Sequence, residues 1–387
     1  MSEFEDQKIS GEEEKEEDTT LANSDVTTKY QEAAKIVNST LTEIIAMCVP
    51  GATVLDICKA GDAAIVTKCD AIYRPKKGRK PVEKGVAFPV CLSVNECLCH
   101  FSPLESDTPV VLAAGDSVKI DLGCHVDGYI AVAAHTVIVP GDAPVTVTGP
   151  QADCLNAAYI AAEVAARLIT PGNTNKQVSE GVKAVGDAYG VQAVAGTVMH
   201  QMKRYVIDAS KVIMLREEGE QKAEECTFEA NEVYAVDVAM STGEGKPRDM
   251  DTRTTVYKRN VDRTYNLKMK ASRAMFSEIS KKFPTLPFSL RSLEDERQAK
   301  LGVRELVQHE LIAPYPVLYE RADDHVVHVK FTVLLLPSGT TKITGMSLPE
   351  GMALSEGKTL PEDIQNLLAA ENKKKKKSKK KKATGDA

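Results

Sequence analysis

The chain has 387 residues, of which 43% are hydrophobic and 27% charged, a composition typical of a large globular protein. No apolar run is long enough to span a bilayer, and the polar, acidic N-terminus lacks the hydrophobic region of a signal peptide. The nine cysteines include no CxxC pair. This excludes a zinc knuckle or a disulfide framework, and we expect mostly buried, reduced thiols in a protein of the cytosol, the nucleus or both.

The charge is distributed unevenly along the chain. Residues 373–382 consist of nine lysines and Ser378. Removing nine positive charges from a chain of net charge −6 leaves −15 for the rest. An acidic body with a basic tail indicates a partner that the tail engages. We expect this tail to be disordered when free, because it has no hydrophobic period. The Glu-rich residues 1–25 are nearly devoid of large apolar residues, and we expect them to be disordered as well.

Hydrophobic spacing and turn residues predict an alternating series of helices and strands. Helices are predicted at Thr27–Cys48, Val54–Asp70, Gln151–Ile169, Lys176–Ala188, Lys268–Lys282 and Ser292–His309. Strands are predicted at Val118–Leu122, Tyr129–Val139, Tyr234–Val238, Thr254–Lys258, Pro316–Tyr319 and His325–Leu336. The basic segment Arg74–Pro81 is predicted to be a loop. The five residues Ile364–Leu368 form a short pattern typical of an amphipathic helix that binds in a partner's groove.

A faint internal repeat relates the two parts of the chain. Val118–Leu122 and Tyr234–Val238 share an apolar-x-apolar-Asp-apolar pattern, and each follows a pair of predicted helices. Two such helix–helix–strand halves would bring Asp121 and Asp237 to one central sheet.

Four segments resemble type-2 methionine aminopeptidases of peptidase family M24. They are Phe88–Pro103, Lys119–Gly128, Asn231–Gly245 and the late strand His328–Leu336. The resemblance covers residues 26–340 and implies the α/β pita-bread fold, with two pseudo-symmetric helix–helix–strand halves around a central sheet. It also implies an insert near residues 259–321 and a C-terminal extension at residues 341–387.

The resemblance further implies where the family's metal ligands would lie. The family holds two metal ions with two aspartates, one histidine and two glutamates, a ligand set suited to hydrolysis. In this chain the matching residues are Asp121, Val132, Thr197, Asp237 and Lys330. An ammonium has no lone pair for a metal, and at about 4 Å it would repel a divalent ion by on the order of 8 kcal/mol. We therefore expect no metal, no cofactor and no catalysis.

Other residues of this pocket have more than one interpretation. We expect Asp121, Asp237 and Lys330 to form a buried ion-pair network in place of the metals, a structural role that we favour over a retained catalytic one. His100 matches the family's substrate-contacting histidine and is expected to be a hydrogen-bonded pocket residue rather than a base. His200 lies three residues beyond Thr197, and on a strand it would face the other side.

The lost ligands and several short motifs narrow the resemblance to the proliferation-associated, ErbB-receptor-binding proteins. The supporting segments are Cys99–Pro103, Gly243–Lys246, Thr254–Arg259, Leu267–Lys270 and Phe331–Leu335. Members of this family are catalytically silent, bind RNA and ribosomes, and shuttle between cytoplasm, nucleus and nucleolus. The resemblance implies ribosomal RNA and the large ribosomal subunit as partners of a monomer, with further nuclear proteins as possible partners.

Two basic regions of the folded body and the lysine tail are the predicted nucleic-acid-binding residues, because lysine and arginine neutralise phosphates without sequence preference. They are Lys76, Lys77, Arg79, Lys80, Lys258, Arg259, Arg263, Lys268, Lys270, Lys373, Lys374, Lys375, Lys376, Lys377, Lys379, Lys380, Lys381 and Lys382. A solvated helix face explains the basic residues of the insert equally well. A solubilising tail or a nuclear address would explain the lysine run.

Two other functions stay open at this point. The first is an active, metal-dependent methionine aminopeptidase with an unconventional site. The second is a nuclear protein-interaction module, such as a transcriptional corepressor, whose lysine tail is only an address.

Overall fold

The computed structural model describes residues 19–78, 80–141, 145–217 and 222–370. Its helices are α1 Ser24–Met47, α2 Val54–Ala71, α3 Gly149–Leu168, α4 Asn175–Tyr189, α5 Lys270–Lys282, α6 Glu296–Gln308 and α7 362–370, with a 3-10 helix at Leu290–Ser292. Within these ranges no helix combines the length and the apolar character needed to cross a membrane.

The strands form one large sheet and three small ones. They are β1 Lys84–Val94, β2 Cys97–Cys99, β3 Ser117–Val126, β4 Tyr129–Ile138, β5 Val147–Thr148, β6 Gln192–Ala193, β7 Val198–Met202, β8 Val212–Met214, β9 Val233–Ser241, β10 Arg248–Asp249, β11 Val256–Arg259, β12 Phe288–Ser289, β13 Ile312–Tyr315, β14 Leu318–Tyr319, β15 Val326–Leu336, β16 Gly339–Lys342 and β17 Ala353–Leu354. The large sheet runs in the order β1-β3-β4-β15-β9-β7-β8, with β16 beside β15 and β6 beside β9.

Two helix pairs cover one face of the large sheet. α1 and α2 pack on β1, β3 and β4 through one apolar core, and α3 and α4 pack on β9 and β15 through another. Each helix pair thus precedes and covers its own half of the sheet, as the repeat predicted. The arrangement is that of the pita-bread fold. All nine cysteines are free thiols, and all but Cys226 are buried.

Helix α1 begins at Ser24, which lies within the segment predicted to be disordered. The side chain of Asn23 accepts a hydrogen bond from the backbone N–H of Asp25 at 2.9 Å and so caps the helix. Leu21 is already buried in the core next to Tyr30. The prediction of disorder was therefore wrong for residues 19–25, while residues 1–18 lie outside the described part of the chain.

The insert is a compact unit of α5, α6 and the three strands β12-β11-β13. Its predicted second helix starts at Glu296 rather than at Ser292, because the Asp295 side chain caps it by accepting the N–H of Gln298 at 2.9 Å. Glu305 on α6 accepts the backbone N–H groups of Lys268 and Met269 at 2.7 and 3.1 Å. These bonds hold the start of α5 against α6.

Helix α7 contains the Ile364–Leu368 motif and packs on the chain's own surface. Ile364 is buried in the α3–α4 core, and Leu367 and Leu368 pack against it. Before this helix, Lys358 pairs with Asp153 at 3.0 Å and tethers the chain to α3. The predicted apolar face is present, and it covers this protein's own core.

Lys119 on β3 is a buried cation without a carboxylate partner among the described residues. Its side chain is 1% exposed, and its ammonium donates hydrogen bonds to the carbonyl oxygens of Asn95 and Ser117. Burial lowers the pKa of Lys119 from 10.5 to about 8. The unfolded chain therefore binds more protons than the folded chain between pH 8 and pH 10.5, and this residue makes stability rise with pH there.

We predict that Lys119→Met removes this pH dependence. The stability of the variant relative to the parent should fall by about 3 kcal/mol between pH 7 and pH 10.5, since 2.5 pKa units correspond to that energy. Urea unfolding at several pH values measures the difference, with Lys183→Met on exposed α4 as the control. A Lys119→Met difference that is the same at pH 7 and pH 10.5 would contradict this assignment.

Candidate functional site

Four strands place one row of residues in register at the centre of the sheet. Asp121 on β3 lies opposite Ala134 on β4, and Ala134 lies opposite Lys330 on β15. Lys330 in turn lies opposite Asp237 on β9. Directly opposed residues point to the same face of a sheet, so the four side chains share one face. The small side chain of Ala134 leaves room for the lysine to reach across β4.

The ammonium of Lys330 joins the two carboxylates of this row. Its Nζ lies 2.8 Å from Asp121 Oδ2 and 3.0 Å from Asp237 Oδ2. The other oxygen of Asp237, Oδ1, lies 2.6 Å from Nε2 of His328, which donates the hydrogen bond. The ring of Phe88 covers the ammonium, with its centroid 5.5 Å from Nζ. The ion-pair network expected from the sequence is thus present and is sealed on one side by an aromatic ring.

The network keeps its charges at neutral pH. Burial favours the neutral form of Lys330, but Asp121 and Asp237 outweigh it and raise the pKa of the lysine well above its usual range. Burial likewise favours the neutral form of Asp237, but Lys330 and then His328 outweigh it and lower the pKa of this carboxyl well below its usual range.

These residues do not fit a pair of divalent metal ions. Lys330 places a positive charge within 3.0 Å of both carboxylates and offers no lone pair. Val132 contributes only hydrocarbon at the second expected ligand position, and Thr197 replaces an imidazole with a hydroxyl. Asp121 Oδ1 is buried without a hydrogen-bond partner among the described residues. One free oxygen beside an ammonium still provides no site for a divalent ion.

A cavity of about 360 Å³ opens above the network. Val132, Thr197, Asp237 and Lys330 line it, as does His100, whereas Asp121 lies behind Lys330 and does not. The structure therefore brings five of the six predicted pocket residues to one cavity wall and places the sixth directly beneath it.

His100 is held as a neutral, hydrogen-bonded side chain. Its Nδ1 donates to the carbonyl oxygen of Pro316 at 2.9 Å, and its ring packs against Phe88 and Tyr315. Burial lowers the pKa of His100 to about 4. Because Nδ1 carries the proton, Nε2 of the neutral ring has a lone pair, and it can accept a hydrogen bond in the cavity without adding charge.

His200 faces the cavity, and the expectation that it points to the other side was wrong. Strand β7 begins at Val198, one residue after Thr197, so the alternation of side chains does not start at Thr197. Val198 and His200 share the cavity face, and Met199 between them is buried in the α3–α4 core. Nδ1 of His200 is buried without a hydrogen-bond partner among the described residues.

The predicted basic residues of the body divide into paired and unpaired groups. Lys258 pairs with Asp208, and Arg263 pairs with Glu310 at 2.9 Å. Arg259 donates to the carbonyl oxygen of Pro284 at 3.3 Å. No ion pair within the described residues engages the remaining predicted lysines of the body, which are Lys76, Lys77, Lys80, Lys268 and Lys270. Arg79 and the lysine run at 373–382 lie outside the described residues.

Replacing the central cation tests the network. We predict that Lys330→Met lowers the free energy of unfolding by about 3–5 kcal/mol near neutral pH, because two neighbouring carboxylates then lack a counter-charge. Urea unfolding of the variant and of the surface control Lys183→Met measures the effect. Adding Asp121→Asn and Asp237→Asn to Lys330→Met should recover part of the loss. An unchanged unfolding midpoint for Lys330→Met would show that the three groups do not depend on one another.

Comparison with known proteins agrees with this geometry. The model of metallopeptidase family M24 matches residues 28–278. ErbB-3 binding protein 1 of Solanum tuberosum is 48% identical over 92% of this chain and 90% of its own length. Proliferation-associated protein A of Dictyostelium discoideum is 45% identical over 91% of this chain and 90% of its own length.

A solved structure extends the agreement to three dimensions. The structure of a thermophilic Arx1 superposes with a TM-score of 0.84 at 31% identity, covering 89% of this chain and 98% of that one. The family match includes the strands that carry Asp121 and Asp237, and the relatives and the superposition extend the likeness to about nine-tenths of the chain. The chain therefore belongs to metallopeptidase family M24, and within it to the group of proliferation-associated, ErbB-3-binding proteins.

Proposed function

We propose that this protein is a non-enzymatic member of family M24 that binds structured RNA, above all ribosomal RNA on the large ribosomal subunit. Its role would lie in ribosome biogenesis, translation control and growth regulation. The observation that carries the loss of catalysis is the ammonium of Lys330 between Asp121 and Asp237. Without metal-bound water, the scaffold has no activated nucleophile for peptide hydrolysis near neutral pH.

The distribution of charge supports a nucleic-acid partner. The chain is acidic overall, yet Lys76, Lys77, Lys80, Lys268 and Lys270 lie at its surface with no ion pair in the described part of the chain. Exposed ammonium groups of this kind bind phosphates and release counterions. The insert adds exposed apolar side chains, which suit contacts with bases and sugars.

Helix α7, the last described helix, and the insert lie on opposite faces of the sheet. Asp237 and Lys330 point to the cavity, whereas Val236 and Val238, which flank Asp237 in β9, belong to the α3–α4 core on the other face. Helix α7 packs on that helix-covered face and leads into the lysine run. The insert reaches the cavity face through Tyr315. We propose that the tail supplies general electrostatic affinity and that the body selects the ribosome.

A protein-interaction role makes a different prediction from ribosome binding. A relative bears the name ErbB-3 binding protein, so a protein-interaction role in the nucleus, as for a corepressor, is the second candidate. That role requires no binding to ribosomes. Salt-sensitive co-sedimentation with large ribosomal subunits separates the two. The proposed function places the protein as a monomer in both the cytoplasm and the nucleus or nucleolus.

The proposal predicts catalytic silence. Purified protein incubated with Met-Ala-Ser peptides and added cobalt or manganese should release no more methionine than a buffer blank, because Lys330 excludes the metals. Release well above the blank that is abolished by Asp121→Ala would restore the alternative of an unconventional aminopeptidase.

A second prediction concerns the tail. Deleting residues 373–382 removes up to nine phosphate contacts. The slope of the logarithm of the association constant for single-stranded RNA against the logarithm of the salt concentration should therefore shrink by at most about 6, at 0.7 per contact. Preference for ribosomal over unrelated RNA should persist, because phosphates carry no sequence information. Salt titrations of full-length and truncated protein against both RNAs measure this. If the truncation abolishes the preference for ribosomal RNA and leaves the slope unchanged, the tail selects the RNA and the body supplies the electrostatic affinity, the reverse of what we propose.

A further inference from the structure

Two adjoining clefts lie at the edge of the large sheet, away from the central cavity. The first, of about 570 Å³, lies between residues 80–83, Asp127 and the turn at Arg204. The second, of about 300 Å³, lies between the start of β1, the β3–β4 hairpin and residues 281–286, which comprise the end of α5 and the four residues after it. Glu83 and Tyr205 line both clefts, and the hydroxyl of Tyr205 donates to Glu83 Oε2 at 2.8 Å. We call the joined clefts the edge cleft.

The walls of the edge cleft are held firmly in place. The backbone N–H of Tyr205 donates to the carbonyl oxygen of Gly128 at 2.8 Å, and the N–H of Asp127 donates to that of Glu83 at 2.6 Å. The ring of Tyr205 packs directly on Gly128, where a Cβ atom would come within 2.4 Å of it. The site is therefore preformed and does not have to be ordered by a ligand.

The charged side chains around the edge cleft that form no ion pair among the described residues are mostly lysines. Asp127 is neutralised by Lys29 at 2.8 Å and by Arg204 at 2.7 Å. Three cations around the cleft, Lys80, Lys84 and Lys281, form no ion pair with any described residue. Glu83 is the carboxylate that faces them, and its Oε2 is engaged by Tyr205. Three free ammonium groups around a fixed groove favour an anionic ligand.

His125 adds an uncharged donor to the second cleft. Its Nδ1 accepts the backbone N–H of Gly128 at 3.2 Å, so in the neutral ring Nε2 carries the proton. Burial lowers the pKa of His125 to about 4, against the opposing influence of Glu83 and Asp127, and the ring is neutral at pH 7. A neutral N–H donor beside free ammonium groups matches phosphate oxygens and sugar hydroxyls.

We propose that the edge cleft binds the phosphodiester backbone of RNA, with Lys80, Lys84 and Lys281 contacting its phosphates. The proposal rests on the proposed function and names a contact site for it. The cleft joins the basic loop, which runs into β1 at Lys84, to the end of α5 in the insert, so the two regions that are distant in sequence border one groove. Tyr205, on the ridge between the two clefts, is placed to contact a base or sugar.

The test compares the double variant Lys84→Gln/Lys281→Gln with Lys35→Gln/Lys183→Gln, which removes two exposed lysines from the helix-covered face. Full-length proteins are titrated with a ribosomal RNA fragment, with duplex DNA of equal length and with polyglutamate at several salt concentrations. The edge-cleft variant should lower the log–log salt slope on single-stranded segments of RNA by about 1.4, at 0.7 per lost contact, and the control pair should not change the slope. RNA carrying 4-thiouridine should cross-link to peptides that contain Tyr205 or residues 281–286.

Each outcome decides the proposal. If the parent binds RNA and the edge-cleft variant binds it with the same affinity and salt slope, the cleft is not the contact site, although the proposed function stands. If the parent shows no salt-dependent binding to RNA, the proposed function fails and this site fails with it. A loss confined to polyglutamate would make the cleft an acidic-peptide site, and a loss confined to duplex DNA would overturn the assignment to RNA. Equal unfolding midpoints for parent and variants show that any loss is not due to misfolding.

Discussion

The buried ammonium of Lys330 between two carboxylates determines what the centre of this sheet can do. Removing a charge from water costs several kcal/mol, and only close partners of opposite sign offset that cost. Asp121 and Asp237 provide these partners at 2.8 and 3.0 Å, and the register of four strands fixes the distances. Each charge needs the others, so the three positions are coupled. The same arrangement fills the place where a hydrolytic enzyme of this fold needs lone pairs for metals.

The central cavity keeps its shape while its polar groups become neutral or paired. His100 and His200 both have lowered pKa values because they are buried, and Asp237 is engaged at both of its oxygens. In the described part of the chain, surface lysines without an ion pair lie on the basic loop and on the insert. A sheet whose central polar groups are neutral or paired, with unpaired lysines at its edges, suits a protein that binds a large anionic surface. The function proposed for this chain uses those edges.

Part of this architecture could be predicted from the sequence. The repeat around Asp121 and Asp237 placed both carboxylates on one sheet, because equivalent strands of two similar halves pair about the same centre. The motif of the late strand, residues 328–336, placed Lys330 at the position of a metal ligand. The face of His200 could not be predicted, since it depends on where β7 begins, and one residue of offset moves a side chain to the other face.

Other elements depend on contacts that local patterns do not contain. Strand β1 was missed because Pro89 interrupts its pattern, and the structure accommodates this residue where the register shifts between Phe88 and Cys91. The pattern of α7 indicated an apolar face, but it did not indicate that the α3–α4 core would cover Ile364. The edge cleft joins Lys84 to Lys281, which lie about half of the chain apart, and only the fold brings them together.

The metal content of the folded protein tests the central claim most directly. Native mass spectrometry after incubation with excess cobalt or manganese, followed by desalting, counts the ions that each molecule retains. If Lys330 occupies the charge position of the metals, the protein retains no stoichiometric metal, and its mass matches the sequence alone. Retention of two ions per chain in the parent, lost in Asp121→Ala, would contradict the account, because two divalent ions cannot share these carboxylates with a buried ammonium.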